Sequence, residues 1–132
     1  MSIHPTLRYP DPQAAIAFLT GTLGFVAEHI STSEDGRVQH AELSFRGTAD
    51  DVPGVVMLGP RRGAGTDPFD TGRAVTYLVV DDPDERHRRA VQAGAEVVHG
   101  PVDQPYGSRE FAVRDPDGNI WSLGTHRPTV KP

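Results

Sequence analysis

The side chains able to bind a metal or exchange a proton are six histidines and eighteen carboxylates, since the 132-residue chain has no cysteine. Without thiolates, any metal would have to be held by His, Asp, Glu or water. His40 and Glu42 are separated by one apolar residue, so a strand would place both on the same face. Such residues could ligate a metal or act as acid and base. The alternative is that both lie on the wet face of an antiparallel sheet.

The first half of the chain predicts the element order β-α-β-β-β. Residues 3–9 have strand character, and Asp11 and Pro12 then begin a helix that stops before Gly24. Strands over 25–31 and 37–45 are joined through a turn containing Asp-Gly, and a strand over 54–58 follows.

The same order restarts after a connector rich in Gly, Pro and charge. A strand over 74–80, a helix over 81–93 and strands over 95–102, 108–114 and 119–124 follow, the last two joined by Asp-Pro-Asp-Gly. A duplicated unit that cannot cover its own sheet is expected to pack on its copy. The sequence therefore predicts a single α+β domain over 1–132, with a first module at about 1–60, a connector at about 61–72 and a second module at about 73–127.

Several segments along the chain match sequence motifs of one protein family. They are TLRYPD at 6–11, Leu23-Gly24-Phe25, Ala93-Gly94-Ala95 and DPDGN at 115–119. Together they resemble the glyoxalase/bleomycin resistance/dioxygenase superfamily, also called vicinal oxygen chelate (VOC), over nearly the whole chain. The resemblance implies two βαβββ modules forming curved mixed sheets around a cavity, with the helices on the convex side.

In metal-dependent members of that superfamily, ligands occupy equivalent strand positions of both modules. Here those positions hold His4, Met57, Val75 and Ser122. Only His4 offers a suitable ligand, because a thioether is a poor partner for hard divalent ions. Catalytic metal sites keep about three protein ligands, so no cofactor is predicted. This departure resembles the metal-free, bleomycin-resistance-like branch, whose members sequester drugs in pockets of a homodimer.

Strand alternation, anchored on His4 and Ser122, predicts which side chains line the pocket. Tyr106 is added because its loop resembles one that borders the pocket in relatives. The predicted ligand-binding residues are His4, Arg8, His40, Glu42, Met57, Tyr77, Tyr106, Glu110 and Ser122. The alternatives are a frayed His4, a structural ion pair between Arg8 and Glu110, Met57 as filler, and Tyr106 packed on a sheet edge.

The other face of the same strands is apolar and is predicted to lie under the helices. Its members are Leu7, Tyr9, Ala41, Leu43, Phe45, Val56, Leu58, Leu78, Val80, Phe111, Val113, Trp121 and Leu123. A one-residue slip of register would instead bury charged side chains there, at a cost of several kcal/mol.

Charge and hydropathy narrow the range of partners. The net charge is -5 and the arginines form no continuous stripe, which argues against nucleic acid. No apolar run approaches the roughly 20 residues that cross a bilayer, and no signal peptide is evident at the N-terminus. A cytoplasmic protein without a membrane partner is expected.

These observations favour a metal-independent protein that binds and sequesters a small molecule, antibiotic-like and either aromatic or polar, as a homodimer. No catalytic residue is predicted. The alternative is a metal-dependent lyase, isomerase or dioxygenase of the VOC superfamily with unusual ligands drawn from His4, His40, Glu42 and Glu110. A third possibility is a regulatory or catalytically idle module that uses the fold only as a dimer scaffold.

Overall fold

The computed structural model describes residues 2–132 and shows one element order twice. The first module contains β1 (Thr6–Tyr9), α1 (Pro12–Gly21), β2 (Val26–Thr32), β3 (Val38–Phe45) and β4 (Gly54–Pro60). The second contains β5 (Val75–Val79), α2 (Pro83–Gln92), β6 (Glu96–Asp103), β7 (Arg109–Arg114) and β8 (Ile120–Gly124). The predicted α+β fold of two βαβββ modules is confirmed.

The helices begin at sequence signals, although one start was predicted too early. Asp11 caps α1 as predicted, because its carboxylate accepts a hydrogen bond from the backbone amide of Ala14 at 3.1 Å. Helix α2 begins at Pro83, two residues after the predicted Asp81, and its N-cap residue Asp82 makes no side-chain capping bond. Proline at the first helical position fixes the start in both helices.

Each module folds its four strands into a mixed sheet in which the first strand pairs with the last. The strand orders are β1-β4-β3-β2 and β5-β8-β7-β6. The β1–β4 and β5–β8 pairs are parallel and the other pairs are antiparallel. The edge strands β2 and β6 carry register shifts, which interrupt the regular row of backbone groups along one edge of each sheet.

The core confirms the predicted strand register. Every residue assigned above to the helix-facing side is at most 8% exposed. These residues form one apolar cluster that extends through both modules. Strand alternation therefore separates the core from the opposite sheet faces as the sequence predicts.

Aromatic contacts and one arginine hold the modules together. The ring of Phe25 meets the indole of Trp121 edge-on, with centroids 5.6 Å apart. From α2, the Arg86 guanidinium lies 5.2 Å from the centroid of Phe45 and donates to the Gly47 carbonyl at 3.2 Å. Side chains of the second module thus complete the packing of the first.

A buried carboxylate, Asp115, makes a second link between the modules. Its Oδ2 accepts hydrogen bonds from the Tyr9 hydroxyl at 2.7 Å and from the Trp121 Nε1 at 3.1 Å. Its Oδ1 accepts from the backbone amides of Asp117 and Asn119. Burial and the hydrogen bond to Asp115 raise the pKa of the Tyr9 hydroxyl. The DPDG turn, where Gly118 has a φ of 86°, therefore also supplies the group that ties β1 to the second module.

Within residues 2–132, no helix has the length and apolar character that crossing a membrane requires.

Candidate functional site

The sheet-one face is the side of the first sheet that points away from the core, and it carries Thr6, Arg8, His40, Glu42, Ser44 and Met57. Met57 on β4 pairs in register with Thr6 on one side and with Glu42 on the other. Paired residues share a face, so these three side chains stand in a row across the sheet. Met57 and Glu42 are partly buried, whereas their strand neighbours Val56 and Leu58 are fully buried.

His40 and Glu42 lie on one face of β3, as their spacing predicts, and they form a polar contact. The His40 Nε2 lies 2.8 Å from the Glu42 Oε2, and both side chains remain about two-fifths exposed, at 41% and 42%. The hydrogen bond from His40 lowers the pKa of the Glu42 carboxyl. A contact this exposed adds little to stability, so the two groups stay accessible to a ligand.

His4 precedes β1 and is hydrogen-bonded through both ring nitrogens. The Nδ1 is 2.9 Å from the Val55 carbonyl and the Nε2 is 2.7 Å from the Ser2 hydroxyl. Since a carbonyl only accepts, Nδ1 carries the hydrogen and Nε2 is the acceptor in the neutral ring. His4 is exposed, yet the bond to Val55 ties it to β4.

His29 is a neighbour of this group that is absent from the predicted site residues. It pairs in register with Glu42, and its ring centroid lies 6.4 Å from that of His40. Counting outward from residues 33–36 sets His29 opposite His40, and the register shift between Ser31 and Thr32 contributes to bringing it opposite Glu42, so the turn alone does not predict this pairing. His4, His29 and His40 all lie close enough to Glu42 to lower the pKa of its carboxyl.

Arg8 binds the connector and not Glu110. Its Nη1 donates to Asp67 at 2.9 Å and to Asp70 at 3.3 Å, and its guanidinium lies 5.5 Å from the Phe69 ring centroid. The hydrogen bond to Asp67 is the largest cause that raises the pKa of Arg8. The ion pair between Arg8 and Glu110, considered as an alternative, does not form. The connector is instead fixed at the end of the sheet-one face.

The sheet-two face is the corresponding side of the second sheet, and it carries Tyr77, Glu110, Ala112 and Ser122. Tyr77 and Ser122 are register partners, and the Tyr77 hydroxyl donates to the His126 carbonyl at 2.8 Å. Glu110 is buried and accepts a hydrogen bond from the Tyr106 hydroxyl at 2.7 Å, while Tyr106 itself is 63% exposed. Tyr106 is therefore held over the face with most of its ring available for contact.

The nine predicted residues fall into two groups within one chain. His4, Arg8, His40, Glu42 and Met57 belong to the first module. Tyr77, Tyr106, Glu110 and Ser122 belong to the second. Hydrogen bonds connect members within each group and do not connect the groups among residues 2–132.

A cavity that the sequence analysis did not predict lies where the modules meet. It measures about 350 Å³, and its apolar wall includes Phe25, Phe45 and Val56 of the first module and Leu78 of β5. Among the nine predicted residues, Tyr77 alone lines it. We call it the junction cavity.

Comparison with known proteins agrees with this architecture. The sequence profile of the Glyoxalase/Bleomycin resistance protein/Dioxygenase superfamily matches residues 2–123. The chain belongs to this superfamily. An uncharacterized protein of Mycobacterium bovis is 34% identical over 130 aligned residues, which cover 93% of this chain and 82% of that protein.

Solved structures share the fold. TioX from Micromonospora sp. ML1 superposes with a TM-score of 0.73 at 28% identity, and the match covers 99% of this chain and 100% of TioX. A glyoxalase/bleomycin resistance protein from Streptomyces sp. CB03234 has a TM-score of 0.68 at 23% identity, covering 91% of this chain and 96% of that chain. Both similarities extend over the two modules.

The donor set does not fit the metal that many members of the superfamily use. The strand registers make Met57 equivalent to Ser122, so neither module offers a carboxylate at that position. No group of three or more His, Asp or Glu side chains within residues 2–132 is arranged to hold a metal ion. The acceptor nitrogen of His4 is also engaged with Ser2. We therefore derive no chemical step through a metal.

Proposed function

We propose that this chain is a metal-independent binding protein of the bleomycin-resistance type, which sequesters a small molecule. The observation that carries this proposal is the chemistry of the two sheet faces. Opposite a fully buried core, they present a thioether, imidazoles, the Glu42 carboxylate and phenols that remain partly accessible, while Glu110 is buried and hydrogen-bonded to the exposed Tyr106. A few polar groups among apolar and aromatic surfaces are typical of small-molecule sites.

The ligand class follows from the groups on the faces. Glu42 is anionic and Glu110 accepts a hydrogen bond from Tyr106, so both carboxyl groups suit a ligand with N–H or O–H donors. Met57 and the exposed ring of Tyr106 provide polarisable surfaces for an aromatic ring. We propose an aromatic or polar natural product that carries hydrogen-bond donors.

The active form is proposed to be a cytoplasmic homodimer. In one chain no hydrogen bond within residues 2–132 joins the predicted residues of the two faces, and large apolar side chains remain exposed, including Val75 at 72% and Val26 at 57%. A second copy that places its sheet-two face over the sheet-one face would enclose a ligand and cover such side chains. Two-fold symmetry would make two equivalent pockets.

The direct test is calorimetric titration of metal-stripped protein with bleomycin and with other aromatic natural products, together with measurement of molecular mass in solution. Glu42→Gln should weaken binding of a donor-rich ligand about tenfold, because it removes a charged acceptor worth about 1.5–3 kcal/mol. Glu34→Gln, in the turn before β3, is the matched control and should bind normally. Equal affinities of the two variants, or a monomer that binds none of the compounds, would contradict the proposal.

A second measurement addresses the metal-dependent alternative. Thermal unfolding is followed with Ni, Mn, Zn and Fe(II), for the wild type and for His4→Ala. A metal that binds only the folded state at 100 times its Kd stabilises it by about 2.7 kcal/mol. We expect no shift with any of the four ions. A dose-dependent rise that disappears in His4→Ala would favour an enzyme with unusual ligands.

A further inference from the structure

The repeat allows the two sides of the module junction to be compared position by position. Leu7 of β1 pairs with Leu58 of β4, and Leu78 of β5 pairs with Leu123 of β8. Because β1 and β5 are the first strands of the two modules, Leu58 and Leu123 hold equivalent positions. Two residues earlier in each strand, Val56 is then equivalent to Trp121. One side of the junction therefore carries the indole of Trp121, the largest side chain of the core, and the other carries the smaller side chain of Val56.

The side that contains Trp121 is filled. The indole is fully buried, its Nε1 donates to Asp115, and Tyr9 occupies the adjoining space. No buried side-chain nitrogen or oxygen in residues 2–132 lacks a hydrogen-bond partner. This half of the junction is completed by the protein's own side chains.

The side that contains Val56 is hollow. The smaller side chain leaves the junction cavity of about 350 Å³, which lies within the range of about 300–1,000 Å³ typical of small-molecule sites. Apolar cavities of roughly 150 Å³ already take up benzene. The volume is therefore sufficient for a molecule with one or two rings.

The cavity wall is aromatic and aliphatic, with few polar groups. Phe25, Phe45 and Leu78 are buried at the wall. Thr76 lines the cavity, shares the core-facing side of β5 with Leu78, and makes no side-chain hydrogen bond within residues 2–132. The exposed side chain of Arg127, which donates to Asp51 at 3.1 Å, also belongs to the lining. Because the other polar side chains of the lining, Asp51, Tyr77 and Arg127, already hydrogen-bond within residues 2–132, the Thr76 hydroxyl favours a ligand with one hydrogen-bonding group.

We propose that the junction cavity is a second binding site, which takes a compact, largely apolar ring compound with a single hydrogen-bonding group. The site goes beyond the function proposed above, because it lies at the core side of the strands and shares only Tyr77 with the predicted binding residues. Its ligand packs against the contacting rings of Phe25 and Phe45 and hydrogen-bonds to Thr76.

The test uses 2-naphthol as the probe and two-dimensional NMR of the ¹⁵N-labelled full chain. Trp121 is the only tryptophan, so its indole N–H gives one unambiguous signal beside the cavity wall at Phe25. We expect dose-dependent shifts of this signal and of the backbone amides of residues 76–79. Shifts confined to the sheet faces, or no shift up to the solubility limit, would overturn the proposal.

A glycine offers a way to close the cavity. Gly54 lines the cavity and is the register partner of Phe45, and a Cβ built on it meets no atom within 4 Å. Gly54→Leu should weaken 2-naphthol binding at least tenfold. Gly21→Leu is the matched control, since its Cβ also meets nothing within 4 Å and it lies outside the cavity; it should leave the affinity within twofold. Equal affinities of the two variants would refute the site.

Two further variants complete the test. Thr76→Val keeps the shape of the wall and removes the hydroxyl, so it should weaken binding about fivefold, and it provides the answer if Gly54→Leu does not fold. Glu42→Gln should not change 2-naphthol binding. If bleomycin fails to bind while 2-naphthol still shifts the Trp121 signal, the proposed function fails and the junction site stands. If bleomycin binds while 2-naphthol leaves the Trp121 signal unchanged, only the junction site is overturned.

Discussion

Replacing Tyr9 by phenylalanine tests whether the hydrogen bond to Asp115 stabilises the junction of the modules. The substitution removes one oxygen and keeps the ring in its fully packed position, where Tyr9 is 2% exposed. Asp115 then loses the shortest of its side-chain hydrogen bonds, at 2.7 Å, and keeps those from Trp121 and Asn119. The change therefore isolates one contact between the two halves of the chain.

The expected loss of unfolding free energy is about 2 kcal/mol. A hydrogen bond to a charged group contributes about 1.5–3 kcal/mol. Because Asp115 is only 4% exposed, water does not replace the donor that its carboxylate loses. With a urea m-value of about 1–3 kcal/mol/M, the unfolding midpoint should fall by about 1 M. The slope should not change, because the variant exposes the same surface on unfolding.

Tyr77→Phe is the control for the urea experiment. The Tyr77 hydroxyl donates to a neutral backbone carbonyl, that of His126, at 2.8 Å. Its removal should cost only about 0.5–1.5 kcal/mol. If Tyr9→Phe costs less than about 0.5 kcal/mol, or no more than Tyr77→Phe, the buried carboxylate does not depend on Tyr9 and the reasoning is wrong.

The remaining predictions concern alkaline pH, one glycine and the connector. Folding raises the pKa of Tyr9 above its ordinary 10.0. Above pH 10 the unfolded chain therefore releases a proton that the folded chain keeps, and the free energy of unfolding falls with rising pH. Between pH 9 and pH 11 the urea midpoint should fall less for Tyr9→Phe than for the wild type. Gly47→Ala should cost about 1–3 kcal/mol in thermal unfolding, because the added methyl would overlap the Val79 carbonyl, while Gly54→Ala should be nearly neutral. Arg8→Met should release the connector and accelerate tryptic cleavage after Arg62 at least fivefold, and an unchanged rate would show that the ion pairs do not hold it.

Most of the fold follows from local patterns in the sequence. Polar and apolar residues alternate strictly in β3, from His40 to Phe45, and one face of the strand is buried as expected. The start of α2 was less predictable, because Asp81 and Asp82 precede Pro83 and either could serve as N-cap. Proline decides between them, since the structure places it at the first turn.

The site was less accessible to sequence reasoning. Alternation assigns His40 and Tyr77 to sheet faces but does not determine how two sheets are placed, so it could not show that the predicted residues divide into two groups. The partners of Arg8 lie in the connector, which has no periodic pattern. The junction cavity depends on a difference in side-chain volume between Val56 and Trp121, which is meaningful only once the registers of both modules are known.

The contact between Phe25 and Trp121 also matters during protein synthesis. The strands of the first module can pair as soon as residue 60 is available, yet Trp121 is added about 60 residues later, roughly 3–12 s at 5–20 residues per second. During that interval the ring of Phe25 can contact Phe45 but lacks the indole that also covers it in the finished protein. A nascent chain of this kind exposes apolar surface that favours aggregation. That surface is covered only after the last strand has been synthesised and has packed on the first module.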